Sequence, residues 1–338
     1  MGCVSKYGLI LANLACAIGF IIKDISESNI LFDSIENSSE KRVIFSKIDS
    51  SGSSLYYAID AITSFFSGFL FVFNPYLPMV LSLLTSFISL ILSCQFIDIT
   101  YKYNPKKSIS FMKDIKCYIE ELNEGFKFIF KSQRLRALII FYVFFTTLLA
   151  LLVNIQRSLL IELSVPDQYF GILFAIWGLT AAFSSTSSTR IQKRHGNHTL
   201  SLLGLTHTIS ITFIGLVAVL KGLPKFITFY IVFIMITLQN VIKGPFRTLI
   251  QRYLGSFSTP SLQTKISSAS IFIESINRTI FSFVVSFLTD NFSTSLTTLI
   301  MGITSTILIL IILNYMESRV GLKPEEYSES DINFKTLC

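Results

Sequence analysis

The chain has 338 residues, with 28 Lys and Arg against 21 Asp and Glu, which gives a formal net charge of +7. Hydrophobic residues make up 51% of the chain and charged residues only 14%, whereas charged residues make up about 25% of a soluble domain. This composition excludes a soluble globular protein, and the 32 Phe and 13 Tyr exclude an intrinsically disordered one. We therefore interpret the chain as a multi-pass membrane protein.

Nine mainly apolar runs of the sequence approach the length of about 20 residues that a helix needs to cross a bilayer. A helix satisfies its own backbone hydrogen bonds in hydrocarbon, and the sequence lacks the alternating strands of a membrane barrel. The predicted fold class is therefore all-α. The predicted spans are residues 7–30, 54–73, 77–97, 136–156, 169–187, 200–220, 225–244, 268–289 and 295–315.

Basic residues between the spans predict the orientation of the chain. Five alternate segments hold 22 of the 28 Lys and Arg, whereas the N-terminal stub and the other connections hold four. Cytoplasmic loops are enriched in Lys and Arg, so we expect the basic segments and the C-terminus in the cytoplasm and Met1 outside, in a multi-pass protein of the cell membrane. Topology thus explains the positive charge, and no nucleic-acid partner is expected. The basic segments are residues 31–53, 98–136, 190–199, 243–267 and 317–338.

The segment between the third and fourth spans is predicted to carry an amphipathic surface helix. Apolar residues recur at helical spacing from Met112 to Phe130, with charged residues between them. A tether between two helix bundles and a regulatory or lipid-sensing element are the two interpretations. The resulting division is a partial N-terminal bundle (1–97), a linker (98–135), a six-helix C-terminal bundle (136–316) and a cytoplasmic tail (317–338).

Charged residues within the first span are candidates for a substrate or ion pathway. Lys23, Asp24 and Glu27 lie in its cytoplasmic half. A charge in hydrocarbon costs about 2.5–3.5 kcal/mol on insertion scales, so such residues usually face a bundle interior or a cavity. Residues 7–22 alone are slightly short of a full span, so Lys23 has the alternative of extending to the membrane surface.

Glu274 and Arg278 are the corresponding pair in the eighth span. They lie four residues apart on one helix face and near mid-depth. Two interpretations stay open: one of the two binds substrate or a proton, or together they form a structural ion pair within the helix.

Uncharged amides form a weaker set of pathway candidates, because amides in membrane helices often only join neighbouring helices. Asn154 lies at the outer end of the fourth span, and Gln239 and Asn240 lie near the inner end of the seventh. Gly244-Pro245, directly after Lys243, predicts a helix end or a kink.

Enzyme and metal-site patterns are missing from the sequence. The three His form no His-Glu-x-x-His pair, the five Cys form no Cys-x-x-Cys pair, and no Gly-rich phosphate loop or Gly-x-Ser-x-Gly elbow occurs. We therefore expect no catalytic residues, no metal and no cofactor.

Four stretches of the chain resemble one family of proteins in their order and spacing. Ile-Leu-Phe-Asp-Ser at 30–34 precedes a charged loop, and Glu-Gly-Phe at 124–126 precedes Leu135-Arg136. A basic loop follows at 190–196, and 251–268 leads into the eighth span. Three spans, a basic linker and six spans, with these stretches, resemble the major facilitator superfamily, in particular bacterial drug and macrolide efflux transporters, without the first three helices.

The resemblance implies a secondary active transporter that exchanges protons for a small amphipathic compound. It places the first span among the helices lining a central cavity, Asp33 near a gate, and Arg190, Lys193 and Arg194 in a second gate loop. The Phe-rich composition would suit apolar or cationic substrates. A late start codon, a degraded gene or a separate partner would each account for the missing helices. The alternative function is a transport-inactive remnant or a membrane partner subunit.

Overall fold

The computed structural model describes residues 41–95, 111–195, 198–220, 222–256 and 260–317, together with seven single residues between 15 and 35. Within these ranges the chain forms ten α-helices and one short 3-10 helix, Asp167–Tyr169, and no strand. The helices are α1 Lys41–Phe73, α2 Leu77–Ser93, α3 Phe111–Lys131, α4 Gln133–Glu162, α5 Phe170–Ser185, α6 Ser188–His195, α7 Thr199–Val219, α8 Lys225–Ser256, α9 Pro260–Asn291 and α10 Thr294–Glu317.

Six of the helices in the described ranges are long and apolar enough to cross a membrane, namely α1, α4, α7, α8, α9 and α10. Two more, α2 and α5, are apolar but shorter. These eight helices coincide with eight of the nine predicted spans, so the all-α fold class is confirmed for the described residues. The first predicted span, 7–30, lies outside them apart from single positions.

Several helices extend past the apolar runs that predicted them, and α1, α8 and α9 extend the furthest. α1 begins at Lys41 instead of residue 54, α8 continues through Pro245 to Ser256, and α9 begins at Pro260 instead of residue 268. The length of an apolar run corresponds to the thickness of the hydrocarbon core of a bilayer, and a helix can be longer than its apolar part. The interpretation of Gly244-Pro245 as a helix end was therefore wrong.

Helix α8 continues past proline because three neighbouring helices pack against it. Proline removes one backbone donor from a helix, but the helix packs against α5, α7 and α1 along its length. At Gly244 a Cβ would lie 2.4 Å from the carbonyl oxygen of Ala181 on α5. Glycine at this position thus allows α5 and α8 to approach closely.

Two apolar clusters hold the helices together. Phe141, Phe145 and Phe246 lie at the centre of the larger one, which joins α3, α4, α7, α8, α9 and α10. Trp177 and Ile236 belong to the smaller one, which joins α4, α5, α7 and α8 nearer the opposite end of the helices. Helix α4 contributes to both clusters and is the central element of the packing.

Small residues set the closest helix contacts. On α7, a Cβ at Gly215 would lie 2.3 Å from the amide nitrogen of Leu299 on α10. On α1, a Cβ at Gly68 would lie 2.9 Å from the Cα of Gly171 on α5. Small residues at helix interfaces are typical of membrane proteins, because close packing replaces the hydrophobic effect there.

The predicted surface helix is present as α3 and packs on α9 and α4. Glu124 forms an ion pair with Lys265 of α9, and the rings of Phe126 and Phe272 meet edge to face with centres 5.9 Å apart. Ile119 and Phe130 remain exposed on its outer side. The helix is therefore fixed to the bundle by one face only.

Candidate functional site

A cavity of about 540 Å³ lies between α1, α4, α8 and α9. It occupies the half of these helices nearest to α3, and two residues that precede α1, Lys23 and Leu31, also contribute to it. Charged groups within membrane spans usually face a cavity or a bundle interior, and they are concentrated here. The charged and tyrosyl residues of the lining are Lys23, Asp49, Tyr56, Tyr57, Tyr142, Lys243, Arg247, Glu274 and Arg278.

Glu274 of α9 is the most enclosed carboxylate of the cavity, with 8% of its surface exposed. Its Oε1 accepts a hydrogen bond from the guanidinium of Arg278, one turn further along the same helix. Its Oε2 accepts a 2.7 Å hydrogen bond from the hydroxyl of Tyr142 on α4. The two side chains thus form the ion pair that their spacing allows, and Tyr142 connects that pair to a second helix.

Two cations of α8 face the cavity from the wall that α8 shares with α1. Lys243 and Arg247 are one turn apart and both half-buried. The Lys243 ammonium lies 5.3 Å from the centre of the Tyr57 ring, within cation–π range. Arg247 hydrogen-bonds to Tyr57, and Asp60 attracts Lys243. The buried Tyr57 therefore contacts both cations and joins α1 to α8.

The remaining charged groups of the lining precede or belong to α1. The Lys23 ammonium lies 5.8 Å from the centre of the Tyr56 ring, which is also within cation–π range. Asp49 is half-buried in the same wall of the cavity. Lys23 thus belongs to the lining of this cavity.

The amide candidates from the sequence lie away from this cavity. The amide of Gln239 accepts a 3.2 Å hydrogen bond from Gln156 on α4 and donates a 3.1 Å bond to Ser210 on α7. Asn240 donates to the carbonyl oxygen of Ile236 within its own helix, and Asn154 is exposed on α4. None of these three amides is among the described residues that line the cavity.

The gate candidates fall partly outside the described residues. Arg190 and Arg194 are exposed on the short helix α6, and Lys193 belongs to the same helix. The segment predicted as a loop at 190–196 is therefore helical up to His195. Residues 188–195 contain no glycine or proline that would interrupt a helix, and Gly196 follows directly. Asp24, Glu27 and Asp33 lie outside the described residues.

Five charged or tyrosyl residues of the site were missed in the sequence analysis, namely Asp49, Tyr56, Tyr57, Tyr142 and Arg247. Arg247 and Asp49 fell in predicted loops, because the apolar runs end before the helices do. A helical reading through Pro245 would have placed Arg247 one turn after Lys243 on the same face. The sequence holds no comparable signal for Tyr142, since its role depends on the contact between α4 and α9.

Comparison of the chain with family models, with curated proteins and with solved structures finds no match.

Proposed function

We propose that the chain is a secondary active transporter of the major facilitator type, which exports a small amphipathic compound in exchange for protons. The observation that supports the proposal is the cavity itself. Its charged lining comes from α1, which precedes the surface helix α3 in the chain, and from α4, α8 and α9, which follow it. Substrate sites of such transporters lie inside the membrane between two groups of helices that move relative to each other. The proposal assigns no enzymatic activity to the chain.

The size and chemistry of the cavity are those of a small-molecule site. Its volume of about 540 Å³ falls in the range of about 300–1,000 Å³ that is usual for such sites. Its lining also contains the apolar residues Leu149, Val153, Phe246 and Ile250. An amphipathic compound can therefore be bound through both parts.

In this proposal Glu274 carries the exchanged proton. Its carboxylate is held by Arg278 and Tyr142, and it lies on the cavity wall, where a proton can reach it. Protonation removes the negative charge that attracts Arg278, so the guanidinium then becomes available to another anionic group. Protonation of Glu274 would thus raise the net positive charge of the cavity by one.

The movement that opens the cavity on alternate sides is proposed to occur between α1 and the helices of the C-terminal bundle. The contact of α1 with α5 includes a close approach of two small residues, Gly68 and Gly171. Pro245 leaves α8 one backbone hydrogen bond short near the cavity, which favours bending there.

Accumulation of fluorescent amphipathic compounds in cells that produce the chain tests this function. We expect lower accumulation than in cells without it, and the difference should disappear when a protonophore removes the proton gradient. Lower accumulation that persists without the gradient would contradict proton-coupled export, and so would equal accumulation for every compound of a panel that includes anions and cations.

A partner subunit without transport activity of its own is the second candidate function. One observation favours it: α2 has no buried residue and packs mainly against α1, so its apolar surface is available to another protein in the membrane. Lipid would cover the same surface in a transporter that acts alone. Native electrophoresis of the purified chain with and without the membrane proteins of its host distinguishes the two, since only the partner function requires a complex with a different chain.

A further inference from the structure

We propose that the cavity between α1, α4, α8 and α9 binds an amphipathic organic anion, such as an aromatic carboxylate. This inference rests on the proposed function, since it names the class of compound that the proposed transporter would carry. It departs from the expectation of an apolar or cationic substrate, which was based on overall composition.

The charges of the lining favour an anion. Among the described residues of the lining, four are cationic and two are carboxylates. The pair of Glu274 with Arg278 is neutral as a unit. The positive excess therefore falls on the wall that holds Lys23, Lys243 and Arg247, where Asp49 offsets one of these three positive charges. Asp60 attracts Lys243 but is exposed and lies outside the lining, so it reduces the excess without contributing to the binding surface.

The spacing of Lys243 and Arg247 strengthens this preference. Like charges four residues apart on a helix repel each other, and the two groups interact unfavourably here. The repulsion is larger in the low dielectric of a membrane interior than in water. An anionic group bound between them would relieve it, whereas a cationic group would add to it. A planar carboxylate also matches the paired donors of the Arg247 guanidinium.

The remaining lining suits an apolar body attached to that anionic group. Leu149, Val153, Ile250 and Ile271 supply apolar surface to the wall from α4, α8 and α9. Phe246 is the only Phe among the described lining residues. Most other phenylalanines of the described ranges pack in the clusters or lie exposed, as Phe283 and Phe287 do, so the Phe content of the chain does not describe the lining of this cavity.

Binding of two probes of matched shape tests the inference. The full chain in nanodiscs of zwitterionic phosphatidylcholine is titrated calorimetrically with 2-naphthoate and with 2-naphthylmethylammonium, and empty nanodiscs correct for partition into lipid. We expect the anion to bind at least about tenfold more tightly than the cation. The two probes share one ring system, and the positive excess of the lining attracts the carboxylate and repels the ammonium group. Equal affinity, or tighter binding of the cation, would overturn the proposal.

Two single substitutions in the cavity locate the binding site, and either one is informative if the other variant fails to fold. We expect Arg247→Gln and Lys243→Gln each to weaken 2-naphthoate binding about tenfold, and Arg157→Gln to leave it unchanged. Arg157 is a matched control, because it is exposed on α4, lies over the Phe174 ring and is outside the cavity lining. Unchanged binding in both cavity variants would contradict the proposed site. The comparison of the two probes in the unsubstituted chain remains decisive if a variant fails to fold.

The two proposals fail in different ways. If the chain binds 2-naphthoate selectively but moves no compound under a proton gradient, the anion site stands and the transporter function is contradicted. If it exports cationic compounds and binds no anion, the transporter function stands and the anion site is contradicted.

Discussion

The hydroxyl of Tyr142 on α4 donates a 2.7 Å hydrogen bond to Oε2 of Glu274 on α9, and both residues are buried. The bond joins two helices at the wall of the cavity and fixes the carboxylate beside Arg278. A charged group in such a position is stabilised by every donor that reaches it, because its surroundings hold little water. The hydrogen bond is therefore expected to matter both for folding and for the position of the carboxylate.

Replacing Tyr142 by Phe removes this hydrogen bond and keeps the ring. We expect Tyr142→Phe to lower the free energy of unfolding by about 1.5–3 kcal/mol, the usual contribution of a hydrogen bond to a charged group. Unfolding in mixed micelles can be followed by the fluorescence of Trp177, the single Trp of the chain, which is buried in the smaller apolar cluster. Tyr230→Phe is the control, since Tyr230 is exposed. Equal stabilities of the two variants would contradict the proposed contribution.

Replacing Gln239 by Leu distinguishes a structural amide from a pathway residue. Because Gln239 joins Gln156 to Ser210 within the bundle, its loss leaves both partners without that bond. Polar contacts between membrane helices contribute about 0.6 kcal/mol on average and up to about 1.7 kcal/mol. We expect Gln239→Leu to lower stability by about 1–2 kcal/mol and to leave the affinity for 2-naphthoate unchanged. Altered affinity with unchanged stability would instead favour the pathway role.

A double-mutant cycle with Gln156→Leu provides the control for Gln239→Leu. The two substitutions remove one shared hydrogen bond, so their combined effect is expected to be smaller than the sum of the single effects. Additive effects would contradict the contact between the two amides.

Adding a methyl group at Gly215 tests the close contact of α7 with α10. The new Cβ would lie 2.3 Å from the backbone nitrogen of Leu299, so the helices must separate. We expect Gly215→Ala to destabilise the chain by about 1–3 kcal/mol, the usual effect of overpacking. Gly222→Ala is the matched control, because a Cβ at Gly222 would meet nothing within 4 Å. Unfolding measured through Trp177 should separate the two variants, and similar stabilities would contradict the close contact.

The attachment of α3 to the bundle is expected to depend on pH. The hydrogen bond and the positive charge of Lys265 lower the pKa of the Glu124 carboxyl below its ordinary value of 4.5. A carboxyl with a lowered pKa in the folded state stabilises that state above its ordinary pKa, and the effect is lost as the pH falls through the lowered value. Contact of α3 with α9 should therefore be constant near neutral pH and weaken below about 4.5.

Hydrogen exchange of the α3 amides at a series of pH values measures this attachment, after correction for the intrinsic pH dependence of exchange. Glu124→Gln should give weaker protection near neutral pH and remove the change below about 4.5. An identical pH profile for the two chains would show that the ion pair does not hold α3 in place.

The helices of the described residues were largely predictable from the sequence, because an apolar run long enough to span a bilayer leaves the backbone no alternative to a helix. Their ends were less predictable. The helices that begin at Lys41 and end at Ser256 continue into polar sequence, beyond the apolar runs from which they were predicted. Asp49 and Arg247 lie in these extensions, which is why the sequence analysis assigned them to loops.

The candidate site was predictable only where a single helix carries the signal. Glu274 and Arg278 lie on one face of α9, and their spacing alone indicated a pair. The contribution of Tyr142 could not be predicted, because it depends on how α4 and α9 pack. Gln239 is a polar residue within an apolar run, as Glu274 is, so the sequence alone does not separate the two. The hydrogen bonds of Gln239 to α4 and α7 show that it lies within the bundle and not at the cavity.

The most direct test of the account is proton movement by the purified chain in liposomes that contain a pH-sensitive dye, with an imposed proton gradient and added 2-naphthoate. Asp290→Asn is the control for Glu274→Gln, because Asp290 is an exposed carboxylate on the same helix. We expect 2-naphthoate to cause proton flux with the unsubstituted chain and with Asp290→Asn, and the flux to fall at least about tenfold with Glu274→Gln. Equal flux with all three chains, or no flux that depends on 2-naphthoate, would contradict the account.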